Sequence, residues 1–265
     1  MNRLSKADTE KQALMRDRYI KKIKQDFEGP NVSKIYIDEI LSHVKPRTKL
    51  LDVGCGTGHI LQRISEKIRF EDISLVGLDL SEAMVAIAKK NTSNSSNVII
   101  ILGDGFKLPF PGLNFDVVVN RLADCSLEEV HRVLKVGGYF IKFGAGPRDC
   151  SEIAEFFGDR YAEKKGPLTS WKEKEIKKHE KVGFIGLELN AFDVIDYYTK
   201  ENLIDIIEFV PLVNDFDRKK DKKIIDEIEK RYGIKRGIAV TRQFFILKGK
   251  KLFTSSPSAS TKASG

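Results

Sequence analysis

Up to residue 44 the apolar side chains recur at helical spacing; from residue 49 they come in short unbroken runs. Met15, Tyr19, Ile20, Ile23 and Phe27 stand three and four residues apart with Lys and Arg between them. That spacing predicts an amphipathic helix over residues 5–27, stopped by Gly29-Pro30. Ile35, Ile37, Ile40, Leu41 and Val44 predict a second helix over 32–44, ending before Pro46. The pattern then alternates. Runs of Val, Ile and Leu predict strands at 49–53, 75–78, 98–102, 116–119 and 139–143. Helical segments at 60–68, 81–91 and 127–134 separate them, with Ser81 as an N-cap and the last helix ending in a Gly137-Gly138 turn. The third and fourth strands are joined by a loop through Pro109 and Pro111. Unbroken apolar runs mean strands covered on both faces, as a parallel sheet between helices requires.

Beyond Gly144 the composition shifts toward Lys and Glu. Helices are expected at 150–157, 172–182, 200–209 and 219–232, and strands at 187–197 and 238–248. The stripe Leu203, Ile206, Ile207 and Val210 reads as core, and the run from Arg218 to Lys223 as the solvated face of a helix start. Residues 254–265, rich in Ser, Ala and Thr, have too little apolar surface to offset ordering entropy and read as a disordered tail.

Composition narrows the class. In 265 residues, 41% are hydrophobic and 32% charged, enough apolar material for a core. The net charge of +8 permits an anionic partner without naming one. Cys55, Cys125 and Cys150 contain no C-x-x-C pair, which excludes a disulfide framework and a cysteine-built zinc site. The first twenty residues carry charges throughout, and the longest aliphatic run, Val98 to Leu102, is far below the ~20 residues needed to cross a bilayer. A soluble, cytoplasmic protein is expected.

The informative segment is Leu50-Leu51-Asp52-Val53-Gly54-Cys55-Gly56-Thr57-Gly58, where the first strand meets its helix. Its glycines permit positive φ and a close approach of main chain to ligand. Such a turn, at the carboxyl end of the first strand, is where open α/β sheets bind ligands. Spacing then selects the ligand. A dinucleotide fingerprint, G-x-G-x-x-G, needs a glycine at 59, where this chain has His59. No G-x-x-x-x-G-K-[ST] loop occurs. What remains is an acid followed by G-x-G-x-G, and a carboxylate there repels a diphosphate but attracts a cation. S-adenosyl-L-methionine, with its sulfonium and ammonium, meets that requirement.

On these residues the chain resembles the class I S-adenosylmethionine-dependent methyltransferases, closely over residues 33–145 and more loosely to 250. The resemblance implies an α/β, three-layer Rossmann-like fold with a mostly parallel seven-stranded sheet and an antiparallel last strand. It also implies the site residues. Asp52, Gly54, Cys55, Gly56 and Gly58 would wrap the methionine end of the cofactor, with Cys55 contributing backbone only. Asp79, followed by Leu80, would accept the ribose hydroxyls, and Asp104 with Gly105 would hold the adenine. Asn120 would stand beside the cofactor at the exit of the fourth strand, and Arg132 to Gly138 resembles the family's R-x-L-K-P-G-G turn with Val136 in place of proline. Two of these positions also suit plainer roles: Asp79 as an acid at a helix N-terminus, Asp104-Gly105 as a turn dipeptide. The organisation implied is a helical lid over residues 1–32, a methyltransferase domain over 33–253 with a helical insert at about 150–183, and the tail.

Substrate signals are sparser. After Asn120 come Arg121-Leu122-Ala123-Asp124-Cys125, without the [ND]-P-P-[YF] of members that methylate exocyclic base amines, and Cys125 lacks the context of a nucleophile. Arg121 and Asp124 are placed to face the acceptor. His43, His59, His131 and His179 have no metal-ligand spacing, so no metal is expected, and no catalytic residue stands out. The expected reaction is methyl transfer to an O, N or C nucleophile of a small molecule. Two alternatives stay open: methylation of an RNA base, since residues 116–148 are similar to a subgroup holding a ribosomal-RNA guanine-N1 methyltransferase, and a cofactor-binding partner subunit without turnover.

Overall fold

A computed structural model describes residues 26–69, 72–162, 166–210 and 212–252. Most of the helix expected at 5–27 and all of the tail at 254–265 lie outside the described residues.

The described chain opens with a correction. Phe27–Glu28, expected to end a helix, form a short strand, β1, paired antiparallel with Asp196 and Ile195 of a later strand. Tertiary contacts override the helical spacing here. Arg236 lies 4.0 Å over the Tyr197 ring and binds Asp26 at 2.6 Å and Glu28 at 3.2 Å, holding the segment to the sheet edge.

Helix α1 (Val32–Ser42) follows, capped by Asn31, whose side chain accepts from Lys34 N. Strand and helix then alternate through β2 (Lys49–Val53), α2 (His59–Lys67), β3 (Ser74–Asp79), α3 (Glu82–Asn91) and β4 (Val98–Leu102). Ser81 caps α3 as expected, its Oγ accepting from Met84 N at 3.2 Å. A loop leads to β5 (Phe115–Arg121), then α4 (Leu127–Val133), β6 (Leu134–Ala145), α5 (Ser151–Phe157) and α6 (Leu168–Val182). The last elements are β7 (Phe184–Tyr198), α7 (Lys200–Phe209), α8 (Lys222–Tyr232), β8 (Gly233–Ile234) and β9 (Gly237–Lys251).

Gly137-Gly138 do not form the expected turn. They lie inside β6, which leaves α4 directly at Leu134, paired with Phe115 before the register breaks ahead of Val117. The irregularity absorbs the glycines: Gly137 sits at φ +79°, and a Cβ on Gly138 would stand 2.8 Å from Asp116 O.

The strands form one sheet in the order β1-β7-β9-β6-β5-β2-β3-β4, with β8 on β9. The pairs from β6 through β4 are parallel, and β9 runs antiparallel to both of its neighbours. Without the two-residue additions β1 and β8, this is the expected sheet. From β2 the chain winds outward through β3 to β4, then returns to the other side of β2 as β5. Strand order therefore reverses between β2 and β5, and the crevice over their carboxyl ends is the natural ligand site of such a sheet.

Alternation along the strands loads both faces. Leu50, Val117 and Val119 join Tyr36, Ile37, Ile40, Ile60 and Leu61 in one core, while Leu51, Val53 and Val118 join Val130, Val133 and Phe140 in the other. A third core, outside the crossover layers, packs Ile153 and Phe157 of α5, Leu203, Ile206 and Ile207 of α7, and Ile225 and Ile228 of α8 onto β9. The stripe at 203–207 is thus core, as its spacing says. The basic run differs in part from expectation. Arg218 binds Glu201, Asp205 and Glu208, each at 2.7 Å, and Asp221 is buried against Arg160. Of residues 150–183, α5 belongs to this third core, whereas α6 packs on β7 and returns the chain so that β7 runs parallel to β6.

Candidate functional site

At the end of β2 the chain reverses tightly. Gly54 and Cys55 both donate their N–H to Leu78 O, at 2.8 and 3.0 Å, and Gly58 N–H donates to Cys55 O at 3.0 Å. Gly54 holds φ +76°, and a Cβ there would overlap that of Ala123. Gly56, at φ +56°, has nothing within 4 Å of its absent Cβ, so this part of the loop opens onto the crevice. Gly58 caps α2 in the left-handed region without a side-chain bond. Gly54→Ala is accordingly expected to lower stability by about 1–3 kcal/mol through overlap and strain. Ala123→Gly in the same chain should recover the overlap part, as thermal melts of the single and double variants can check.

The loop is held by Asp79, whose Oδ2 accepts from Gly56 N at 2.8 Å while Oδ1 accepts from Ser81 N at 3.0 Å. Each oxygen keeps a second lone-pair direction. Leu80 lies half-buried beside it. Across the crevice, Asp104 turns the chain after β4, its Oδ1 accepting from Phe106 N at 2.9 Å. Gly105 backs onto β2: a Cβ there would be 3.0 Å from Val53 Cγ1. Asp104 thus has the turn bond that its dipeptide suggests, and neither Asp104 nor Gly105 is among the residues lining the cleft beside the glycine loop.

Two buried side chains stand near the carboxyl ends of β2 and β5. Asp52 is only 2% exposed, and its Oδ1 has no hydrogen-bond partner. Burial, with a smaller contribution from the Asp79 charge, raises its carboxyl to about 7, while the Arg121 charge opposes the rise. Asn120 is fully buried; its Nδ2 donates to Val53 O at 2.9 Å and its Oδ1 has no partner. Both Oδ1 atoms therefore lack donors, which costs free energy, and that of Asp52 belongs to a residue lining the cleft where a ligand could supply them. The Cys55 thiol is buried and pushed far up, so the residue contributes its backbone. Asp52, Gly54, Gly56, Thr57, His59 and Arg121, with Cys55 and Ile60, line a narrow cleft.

Sequence reasoning missed Tyr36. It is fully buried on α1, and its hydroxyl donates to Asn120 O at 3.2 Å, fixing the end of β5. Its place on the core face of a helix gives no sign of that bond. Arg121, singled out only by position, borders the cleft beside Asp52, with its guanidinium 4.8 Å over the Phe143 ring and Nη2 3.4 Å from Ser33 Oγ. Asp124 does not line this cleft; its carbonyl lies behind Gly105.

A family model described as a methyltransferase domain matches residues 44–166, the span from the end of α1 to α6 that contains the whole crevice. Over those residues the chain is similar to a methyltransferase domain. Demethylmenaquinone methyltransferase from Staphylococcus epidermidis is 33% identical over 117 residues, which is 41% of this chain and 48% of that protein. The chain spans about half the length of the curated relatives it matches. Among solved structures, the YcgJ protein from Bacillus subtilis superposes with a TM-score of 0.59 at 20% identity, over 83% of this chain and 99% of that one. Phosphoethanolamine N-methyltransferase 2 from Haemonchus contortus, solved with S-adenosyl-L-methionine, gives 0.51 at 17% identity, over 84% and 53%. These likenesses confirm the fold around the methyltransferase domain. Among the described residues no helix is long and apolar enough to cross a membrane.

Proposed function

We propose that this chain is an S-adenosylmethionine-dependent methyltransferase that binds the cofactor in the β2–β5 crevice and methylates a small molecule. The observation that carries the reading is Asp52 Oδ1, a buried oxygen without a donor on the cleft beside the glycine loop. An ammonium group has the N–H donors that it lacks. Asp79, already bonded to Gly56 and Ser81, has lone pairs left for two vicinal hydroxyls. Asp104 and Gly105, at the end of β4, then flank the base.

When bound, the cofactor supplies a methyl group on a sulfonium, open to in-line attack. The protein's part is orientation and exclusion of water. The reversal between β2 and β5 fixes the cofactor side, and Tyr36 locks the β5 end by its bond to Asn120 O. The names of the curated relatives support a small-molecule acceptor, and the unpaired cysteines suit a cytoplasmic setting.

The test incubates the chain with methyl-labelled cofactor and either a small-molecule extract or total RNA. Label in the small-molecule fraction is the expected result. Label only in RNA would transfer the assignment to a nucleic-acid acceptor, and label in neither, with the cofactor bound, would make the chain a non-catalytic binding subunit.

A further inference from the structure

One flank of α6 carries a single sign of charge. Lys174, Lys177, Lys178 and Lys181 are all exposed, and their spacing of i, i+3, i+4 and i+7 sets them in one stripe along about 10 Å of helix. Each has another lysine three or four residues away, where like charges repel across the helix surface. Little relieves that repulsion from within the helix. Glu175 turns inward to Lys142 of β6, Oε1 to Nζ at 2.7 Å, and is only 15% exposed. Glu173 and Glu180 are spaced to meet Lys177 alone. Among the described residues none of the four lysines has a hydrogen-bond or salt-bridge partner for its ammonium.

The stripe walls a groove. Lys178 and Lys181 line it from α6, and Glu128 and His131 line it from α4, with Phe106 and Cys125 between the β4 and α4 ends. Cys125 stands behind Gly105, whose added Cβ would lie 3.4 Å from Cys125 Cβ, and Phe106 is 45% exposed. The groove is on the sheet face opposite α1: its Leu127 and Val182 pack with Leu51 and Val118, not with the core around Tyr36. Lys174 and Lys177 carry the stripe past the groove, so the positive surface is longer than the concavity.

We infer that Lys174, Lys178 and Lys181 hold the phosphates of a nucleic-acid strand, with the groove beside α4 taking one of its bases. A line of single charges longer than the groove suits a polyanion better than a small anion. A concavity between two helices does not fit a flat lipid surface. Phe106 adds exposed aromatic surface to flexible cations, the combination by which proteins take bases and phosphates of a single strand. The strand is a partner, held across the sheet from α1, so the inference goes beyond the proposed function and stands apart from the cofactor. Glu128, which accepts from Ser126 Oγ at 2.9 Å, is the one acid on the lining and opposes a phosphate there.

Fluorescence anisotropy of a labelled single-stranded RNA of about twelve nucleotides, titrated with the full chain at several salt concentrations, tests it. The native chain should bind at roughly 1–100 µM in low salt, with a log–log salt slope of about −2 to −3. Lys174→Gln, Lys178→Gln and Lys181→Gln together should weaken binding at least tenfold and make the slope shallower by about 2. Lys219→Gln, Lys220→Gln and Lys223→Gln together remove the same charge around the start of α8 and should change affinity less than twofold. Glu128→Gln should tighten binding by about two- to fivefold. Thermal melts check that each variant folds. Equal losses in the two triple variants would reduce the effect to net charge. No native binding, or no loss in the α6 variant, would leave the stripe without a strand. Displacement of the RNA by poly-glutamate or by phosphatidylglycerol vesicles at equal charge would give the site to another anion. Each of these results overturns the inference, and none bears on the cleft, where calorimetry with S-adenosylhomocysteine reads cofactor binding separately.

Discussion

Asp79→Ala is expected to weaken S-adenosylhomocysteine binding by at least a hundredfold, enough to erase the heat signal at micromolar protein. Two losses add here. Bonds from ribose hydroxyls to a carboxylate are charge-assisted, each contributing about 1.5–3 kcal/mol. The same carboxylate also holds the loop, through Gly56 N–H at 2.8 Å, and the start of α3, through Ser81 N–H at 3.0 Å. Removing it frees both amides, so hydrogen exchange at Gly56 and Ser81 should quicken in the ligand-free variant. Asp79→Asn retains one oxygen acceptor and should fall between the two. Native-like affinity in Asp79→Ala would remove the ribose from this residue and, with it, the orientation of the cofactor proposed above.

Much of this site could be read before any coordinates, because it depends on local chain chemistry. The Gly54–Gly58 turn needs left-handed backbone, and only glycine supplies that without strain, so its spacing alone marks where the chain reverses at the end of β2. Ser81 is legible for a similar reason, since an N-cap bonds within three residues. What stayed hidden is what the third dimension brings together. Tyr36 and Asn120 are 84 residues apart in the chain, and nothing in the α1 pattern separates a core tyrosine from one that pins a strand end. Phe27 followed a helical period until sheet pairing and Arg236 captured its segment. Gly137-Gly138 carried the composition of a turn, yet the same backbone freedom served an irregular strand against Asp116. Arg121 was singled out by position as facing the acceptor, and that it lines the same cleft as Asp52 appears only once β2 and β5 are paired.

Asp52 should make both cofactor binding and stability depend on pH, in opposite senses. Its carboxyl stands at about 7 in the folded chain, raised first by burial and then by Asp79, against an ordinary value of 3.8. For binding, the ionised form pairs with an ammonium, so affinity for S-adenosylhomocysteine should be level from about pH 7.5 to 8.5 and fall about tenfold per unit below about pH 7. Asp52→Asn should bind weakly and show no such slope, and titration across pH 5.5–8.5 in two buffers should detect proton release from the native chain alone. For stability the sign reverses. A carboxyl whose folded value lies above its unfolded one binds a proton more tightly when folded, so ionising it opposes folding. The penalty is small near pH 4, grows between about 4 and 7, and is complete above 7. A rise of about three units corresponds to at most about 4 kcal/mol. Ligand-free Asp52→Asn should therefore melt well above the native chain at pH 8 and close to it at pH 4.5, and saturating S-adenosylhomocysteine should narrow the gap at pH 8. A native chain that loses no stability relative to Asp52→Asn between those pH values would mean that the carboxylate is satisfied from within the protein, leaving no vacancy for an ammonium to fill.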